Sequence, residues 1–237
     1  MKNKAPDDEL NKDFLIITID GPSGVGKGTI AKALSASLDL HLLDSGSIYR
    51  LAGLASIKAG VRPSDISAME HLCRNLDIEF VDDGRQTLAV MLDGRDVTAE
   101  IRDETIAKRA SEIAVIGAVR NALMQRQRDF AQPPGLVADG RDMGTVVFPQ
   151  AQAKFFLTAD AKVRAGRRYK QLLPTNPDIE LSAILRDIQS RDRRDAQRAV
   201  APLKPASDAI AIDTSNLNVE QVLSIIRQTL ISTGVMS

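Results

Sequence analysis

The chain has 237 residues, of which 43% are hydrophobic and 26% charged, enough for the core of a domain larger than the common size of roughly 100 to 150 residues. Lys plus Arg and Asp plus Glu both total 31, so no overall basic field recruits nucleic acid. The single cysteine, Cys73, excludes an intrachain disulfide, and no run approaches the roughly 20 apolar residues of a membrane-spanning helix.

The N-terminal segment, residues 1–12, is polar and carries both charge signs. It lacks the apolar stretch of a signal peptide, and we expect a disordered tail. Together with the composition, this predicts a cytoplasmic protein that binds neither nucleic acid nor membranes. We expect it to be a monomer.

The first predicted elements are a strand and a helix. Phe14 to Ile19 is a short apolar run rich in β-branched residues, and a helical pattern extends from Lys27 to Leu38. A glycine-rich segment joins the two. This order of strand, loop and helix is typical of a phosphate-binding unit.

The joining loop has the composition that phosphate binding requires. Glycines let backbone N–H groups approach phosphate oxygens, the start of the helix adds positive potential, and a lysine supplies a charge near the β- and γ-phosphates. The alternatives are a glycine-rich turn with a solvated lysine and a dinucleotide-binding turn, but the latter needs glycine or alanine at position 29. The predicted ATP-binding residues of the loop are Gly21, Pro22, Ser23, Gly24, Val25, Gly26, Lys27, Gly28 and Thr29.

One position departs from the standard phosphate loop. Ser or Thr usually follows the lysine and binds magnesium, whereas Gly28 stands here before Thr29. Lys-Gly-Thr is similar to the loop of nucleoside monophosphate kinases, which implies that phosphate oxygens and water hold most of the Mg²⁺ coordination. No protein metal ligand is therefore predicted.

Further short apolar runs alternate with helical patterns, which predicts an α/β fold with a parallel sheet flanked by helices. The runs are Leu40 to Leu43, Leu136 to Ala138, Lys154 to Thr158 and Ala209 to Ile212.

A different pattern interrupts this alternation. Asp77 to Val81 and Thr87 to Leu92 alternate apolar and polar residues around an Asp-Asp-Gly turn at 82–84, and Gly94 to Val97 can add a third strand. We predict a small α+β insertion at residues 61–99. Residues 13–60 and 100–237 then form the core.

Two polar segments follow predicted strands, where ligands of open α/β sheets gather. Asp44-Ser45-Gly46 precedes Tyr49 and Arg50, and a helix starting there could present N–H groups to a phosphate; a plain helix N-cap is the alternative. Asp139-Gly140-Arg141-Asp142 follows another strand, and an ordinary Asp-Gly turn is its alternative.

Phosphoryl transfer needs positive charge around an anionic transition state, and two arginine clusters could supply it. Solvated surface helices with weak ion pairs are the alternative for both. The spacing of the first cluster predicts one helical face, and the second follows the strand at 154–158. The clusters are Arg191, Arg194, Asp195 and Arg198, and Arg164, Arg167 and Arg168.

Four motifs in the same order resemble bacterial cytidylate kinases over a match from about Phe14 to the last helix. They are Ile-Asp-Gly-Pro-Ser-Gly-Val-Gly-Lys-Gly-Thr (19–29), Leu-Leu-Asp-Ser-Gly-Ser-Ile-Tyr-Arg (42–50), Ala-Asp-Gly-Arg-Asp-Met-Gly-Thr-Val-Val-Phe-Pro (138–149) and Arg-Ala-Val-Ala-Pro-Leu (198–203). The resemblance implies a P-loop NTPase core, a monophosphate-binding insertion at 61–99 and a short lid at about 162–175. It also implies transfer of the γ-phosphate of ATP·Mg²⁺ to CMP or dCMP.

Residue roles follow from the same resemblance. It implies that Lys27, Arg141, Arg191 and Arg198 are catalytic and that Arg164 and Arg168 bind ATP. For the acceptor it implies the CMP phosphate on Ser45, Arg50, Arg141 and Arg198, the cytosine on Ser111, Arg120 and Asp142, and the ribose on Arg191 and Asp195, with Tyr49 lining the site.

The cytosine assignment is chemically sound. A carboxylate such as Asp142 can accept from the exocyclic amino group of cytosine, whereas uracil offers a carbonyl. Two other functions remain open. One is a kinase for another small acceptor, and the other is a regulator that binds ATP without turnover; few aromatics for base stacking argue against an RNA-binding regulator.

Overall fold

The computed structural model describes residues 14–82, 88–174 and 176–236. The predicted tail at 1–12 and the predicted turn residues 83 and 84 lie outside these ranges. The strands are β1 (Leu15–Asp20), β2 (His41–Asp44), β3 (Ile78–Asp82), β4 (Leu88–Leu92), β5 (Arg95–Asp96), β6 (Gly135–Gly140), β7 (Ala153–Thr158) and β8 (Ile210–Asp213). The helices are α1 (Lys27–Leu38), α2 (Ser45–Lys58), α3 (Ile66–Arg74), α4 (Glu104–Ile113), α5 (Gly117–Arg128), α6 (Ala161–Leu172), α7 (Leu181–Gln197) and α8 (Val219–Ser232).

A five-stranded sheet in the order β2-β6-β1-β7-β8 confirms the predicted α/β fold. β1 pairs in parallel with β6 on one side and β7 on the other, and β7 pairs in parallel with β8. Every residue of β1 after Leu15 is buried, which explains why this central strand reads as a continuous apolar run. The carboxyl ends of β1 and β6 are adjacent, because Asp20 is in register with Gly140.

The chain divides into two compact units, residues 1–43 with 128–237, and residues 44–127. In the first unit, α1 and α8 pack on the sheet and enclose its main core. Fully or nearly fully buried members of that core are Ile17, Ile19, Leu34, Val137, Phe155, Leu157, Ile226 and Leu230.

The second unit combines α2 to α5 with a small antiparallel sheet in the order β3-β4-β5. Ile78 is in register with Leu92 and Asp82 with Leu88, which confirms the predicted hairpin; Arg95–Asp96 is the predicted third strand. The predicted limits of the insertion, residues 61–99, are narrower than this unit and stay a prediction.

Among the helices of the described residues, none has both the length and the apolar character needed to cross a bilayer.

Gly21 joins β1 to the phosphate loop at a position that excludes any side chain. Its φ is 149°, and an added Cβ would lie 2.2 Å from the carbonyl oxygen of Leu157. We expect Gly21→Ala to lower the free energy of unfolding by about 3 kcal/mol or more, since the Leu157 carbonyl belongs to the backbone of β7 and cannot move aside without disturbing the sheet. Urea unfolding measures this.

Gly166→Ala is the matched control, because nothing lies within 4 Å of an added Cβ on this residue of α6. It should stabilise the protein by about 0.5 to 1 kcal/mol, as alanine favours a helix over glycine. Equal stability of Gly21→Ala and the wild type would contradict the close approach.

Candidate active site

The phosphate loop runs from the end of β1 to the first turn of α1. Gly24 and Gly26 have φ values of 79° and 98°, left-handed conformations that glycine adopts without steric cost. Gly26 is the N-cap of α1 and makes no side-chain cap, so the N-cap residue itself does not compete with an anion for the first N–H groups of the helix.

Lys27 is buried and points back across this loop. Its Nζ donates to the carbonyl of Pro22 at 3.0 Å and lies 3.9 Å from Asp139 Oδ1. Its side chain is 7% exposed. A fixed cation thus lies beside the loop N–H groups, which is the arrangement that binding of an anionic phosphate requires.

Asp139 is the carboxylate that the chain offers beside Gly28. An added Cβ on Gly28 would be 3.4 Å from Asp139 Oδ2, so the glycine leaves room in front of an oxygen ligand of the kind that Mg²⁺ prefers. Within residues 14–82, 88–174 and 176–236, no three His, Cys, Asp or Glu residues cluster as a metal site. The carboxylate of Asp139, in front of Gly28, thus supplies an oxygen donor beside the loop.

Asp20 is a buried carboxylate that the sequence analysis did not single out. Its Oδ1 accepts from the N–H of Met143 and its Oδ2 from the N–H of Gly144, both at 2.8 Å. These residues begin a short π-helical segment, Met143–Val147, directly after Asp142. Asp20 therefore fixes the backbone beside two predicted acceptor residues. The signal in the sequence that could have identified Asp20 is an acidic residue at the end of a buried apolar strand.

The pKa of Asp20 is raised from an ordinary 3.8 to about 6. Burial is the largest cause and the nearby Asp142 adds to it, while the two N–H donors and Lys27 oppose the shift. Between pH 4 and 6 the unfolded chain ionises at Asp20 but the folded chain keeps the proton. We expect stability to fall as pH rises through this window, by up to about 3 kcal/mol from this residue.

Urea unfolding of wild type and Asp20→Asn at pH 4, 5, 6 and 7 measures this contribution as the difference between the two profiles. Asp39→Asn, an exposed aspartate at the end of α1, controls for the loss of one carboxylate. Parallel profiles for wild type and Asp20→Asn would contradict the predicted titration.

Arg141 and Asp195 form an ion pair between a partly exposed arginine and a buried aspartate. Arg141 Nε donates to Asp195 Oδ2 at 2.9 Å. Burial alone would lower the pKa of Arg141, but Asp195 outweighs it, with smaller contributions from Asp139 and Asp20, and raises the pKa above its ordinary value. Because Asp195 takes the Nε, the terminal nitrogens of a permanently charged guanidinium are positioned for a bidentate anion.

Asp142 and Arg198 form a buried pair, with Arg198 Nη2 3.4 Å from Asp142 Oδ1. The predicted position of Arg198 on the helical face of α7 is wrong. The helix ends at Gln197, and Arg198 is its C-cap with extended backbone, φ −62° and ψ 137°. Its Nε donates to the carbonyl of Ala201, and its Nη2 reaches Asp142, two residues after the end of β6.

Arg191 lies on α7 one turn before Asp195. Its Nε is 2.9 Å from Asp187 Oδ2, an ion pair between residues four apart on the helix, and its side chain is 13% exposed. α7 therefore positions two of the predicted acceptor residues, and its C-cap positions a third.

The two predicted ATP contacts on α6, Arg164 and Arg168, differ from each other in their hydrogen-bond partners. Arg164 is buried, and both terminal nitrogens bind the carboxylate of Asp192 at 3.0 and 2.6 Å. Arg168, one turn on, donates to Gln171 Oε1 at 3.3 Å. The lid and the ATP contacts stay predictions. Asp192 was missed because spacing alone did not distinguish it from its acidic neighbours on α7.

In the second unit, the N-terminus of α2 is capped. Asp44 accepts from the N–H and hydroxyl of Ser47 at 3.1 and 2.6 Å, which confirms the plain N-cap that the sequence left as an alternative. The Ser45 hydroxyl donates to Gln127 Oε1 at 2.8 Å. An anion at Ser45 would have to replace Gln127 as the partner of that proton.

The remaining acceptor residues of this unit lie on α2, α4 and α5. Arg50 Nη1 donates to the carbonyl of Ile101 at 3.1 Å. Arg120 is buried, and its guanidinium carbon lies 6.0 Å from the centre of the Tyr49 ring, at the limit of a cation–π contact. Ser111 is half-buried on α4.

Comparison with known proteins gives the family. A family model described as "Cytidylate kinase" matches residues 17–231. The chain is 51% identical to the cytidylate kinase of Pseudomonas aeruginosa (strain LESB58) over 92% of this chain and 95% of that one. It is 53% identical to the cytidylate kinase of Pseudomonas fluorescens (strain SBW25), covering 90% and 94%, and 52% identical to that of Burkholderia ambifaria (strain MC40-6), covering 90% and 91%. The resemblance predicted from the four motifs is confirmed, and the chain belongs to the cytidylate kinase family.

Proposed function

We propose that this enzyme transfers the γ-phosphate of ATP to CMP or dCMP, giving CDP or dCDP and ADP, in pyrimidine nucleotide metabolism. One observation carries the proposal. β1 is followed by the phosphate loop with Lys27, and its neighbour β6 is followed directly by Arg141, whose Nε donates to Asp195. The proposed site for the phosphates of ATP and the arginine proposed for the phosphate of CMP therefore follow two neighbouring strands of the same sheet, within the first unit.

The donor side stabilises charge. ATP binds the loop from Gly21 to Thr29, whose N–H groups and Lys27 face the β- and γ-phosphates. Mg²⁺, when bound, neutralises phosphate charge, and Asp139 is the residue suited to hold it through water. The transferring phosphoryl group needs positioning and positive charge, so the reaction requires no covalent enzyme intermediate.

The acceptor side binds the monophosphate through arginines. The proposed phosphate ligands, as the family resemblance implies them, are Ser45, Arg50, Arg141 and Arg198. Arg198 lies 3.4 Å from Asp142. When CMP binds, its phosphate would become the partner of Arg198, and the amino group of its cytosine would donate to the carboxylate of Asp142. Arg191 and Asp195 hold the ribose, Ser111 and Arg120 assist Asp142 at the base, and Tyr49 lines the site.

Base selectivity follows from Asp142. Its buried carboxylate accepts hydrogen bonds, which matches the amino group of cytosine and repels the carbonyl of uracil. An aspartate on the ribose does not distinguish ribose from deoxyribose, so both CMP and dCMP should react. We further propose a cytoplasmic monomer without nucleic-acid or membrane partners.

The test is ADP release from ATP·Mg²⁺ with CMP, dCMP, UMP and AMP offered separately. We expect turnover of about 1 to 100 per second with CMP and dCMP, and little with UMP or AMP. Turnover mainly with another acceptor would favour a different small-molecule kinase. ATP binding without turnover on any of the four would favour the regulator.

A further inference from the structure

A phosphate loop that turns its N–H groups toward an anion must turn its carbonyls away, because the two groups of one planar peptide point in opposite directions. Those outward carbonyls need donors. The carbonyl of Pro22 accepts from Lys27 Nζ at 3.0 Å, and that of Ser23 from Arg164 Nη1 at 3.1 Å. The carbonyl of Val25 accepts from Arg167 Nη1 at 3.3 Å and from Thr214 Oγ1 at 3.2 Å. The carbonyl of Gly26 accepts from the N–H of Ile30 at 3.1 Å.

Two of these donors are cations from α6. Arg164 binds the carbonyl of Ser23, and Arg167 binds that of Val25. Gly24, between them, is packed on the same helix, since an added Cβ would lie 3.2 Å from the Cβ of Arg164. Residues 23–25 of the loop are therefore seated on the first turns of α6.

Arg164 has its orientation set on three sides. Asp192 of α7 binds both terminal nitrogens, the carbonyl of Ala159 accepts from Nε at 2.9 Å, and Ser23 accepts from Nη1. The guanidinium is a planar fork, so these contacts fix its position as well as its charge. The Arg164 side chain is 5% exposed and that of Asp192 29%.

We propose that Arg164, held by Asp192, is a positioning residue for the donor nucleotide that acts through the peptide between Ser23 and Gly24. The cation binds the carbonyl of that peptide and polarises it, so that the N–H of Gly24 is fixed toward the phosphate and carries more positive charge. This differs from the sequence prediction that Arg164 contacts ATP directly. It rests on the proposed ATP site.

The same stretch of α7 serves the acceptor. Asp195, three residues after Asp192, binds Arg141. One turn of helix thus fixes an arginine behind the donor loop and an arginine at the acceptor site, both within the first unit.

The test is the Kd of ATP, measured by calorimetry without acceptor, for Arg164→Lys and Asp192→Asn in the full chain. We expect Arg164→Lys to weaken ATP binding about 10- to 100-fold, because a lysine cannot hold Ser23, Ala159 and Asp192 together. Asp192→Asn should weaken it in the same direction, about 3- to 10-fold. The KM for CMP should change less than about threefold in both.

Asp192→Asn separates the proposal from direct contact. If Arg164 itself binds phosphate, loss of the Asp192 charge frees the arginine, and ATP binding stays unchanged or tightens; that result would overturn the proposal. The double variant should be no weaker than Arg164→Lys alone, since both act through one contact. Additive losses would also overturn it.

Arg186→Lys, an exposed residue of the same helix α7, is the control and should leave ATP binding unchanged. Thermal unfolding of each variant identifies loss of fold; if Arg164→Lys does not fold, the partly exposed Asp192 still gives the deciding result. The measured quantity is the Kd of ATP, so the inference and the proposed function can fail separately. A wild-type protein that binds ATP but does not phosphorylate CMP would contradict the proposed function, while the Kd values of the variants would still decide the inference.

Discussion

Lys27→Met should lower kcat at least about 10³-fold, a loss of about 4 kcal/mol in transition-state stabilisation. Lys27 is buried, donates to Pro22 and lies 3.9 Å from Asp139, so its charge is fixed in a site with little water to screen it. The negative charge of the transferring phosphoryl group would lose its nearest cation on the donor side. Initial rates of ADP release at saturating ATP and CMP measure the effect.

Lys32→Met is the control, since Lys32 is exposed on the same helix α1 and should retain wild-type activity. Because Lys27 also lowers the pKa of Asp20, thermal unfolding should accompany the rates. A folded Lys27→Met variant whose kcat stays within tenfold of wild type would remove Lys27 from the proposed chemistry.

Arg141→Met should lower kcat/KM for CMP about 10³- to 10⁴-fold, with little change in the KM for ATP. The guanidinium is held by Asp195 at 2.9 Å, and the methionine leaves no cation there for a phosphate. Arginine groups that stabilise phosphoryl transfer contribute effects of this size. Arg141→Lys keeps the charge but not the fork, and we expect an intermediate loss.

A second substitution, at the ion-pair partner Asp195, distinguishes loss of folding from loss of activity in Arg141→Met. Arg141→Met leaves the carboxylate of Asp195 buried and unpaired, which should cost about 3 kcal/mol of stability. Arg141→Met with Asp195→Asn removes that charge, so stability should partly recover while activity stays lost. Recovery of activity together with stability would show that Arg141 serves the fold alone.

Local pattern was sufficient to predict the sheet and the phosphate loop. The helix predicted from Lys27 to Leu38 has those bounds, and the observed β1 differs from its predicted run by one residue at each end. Both follow from buried apolar runs next to glycines whose backbone conformation limits the alternatives. Strand order and the division at residue 44 depend on tertiary contacts, which no local pattern encodes.

The site was less predictable, because its support comes from residues distant in sequence. Asp20 binds backbone 123 and 124 residues away, and Asp192 meets Arg164 across 28 residues. Asp192 belongs to none of the four motifs, and Asp20 belongs to the first of them, which gave it no role of its own. The misplaced Arg198 had a local signal, since Pro202 follows four residues later and commonly marks a helix end; regular spacing alone suggested a longer helix.

The fate of the γ-phosphate shows whether this enzyme transfers it directly from ATP to CMP. The enzyme is incubated with γ-³²P-labelled ATP, Mg²⁺ and CMP, and the nucleotides and the acid-precipitated protein are separated. We expect label in CDP in proportion to the ADP formed, with none retained on the protein. Label recovered as inorganic phosphate, or bound to the protein, with no labelled CDP would contradict direct transfer.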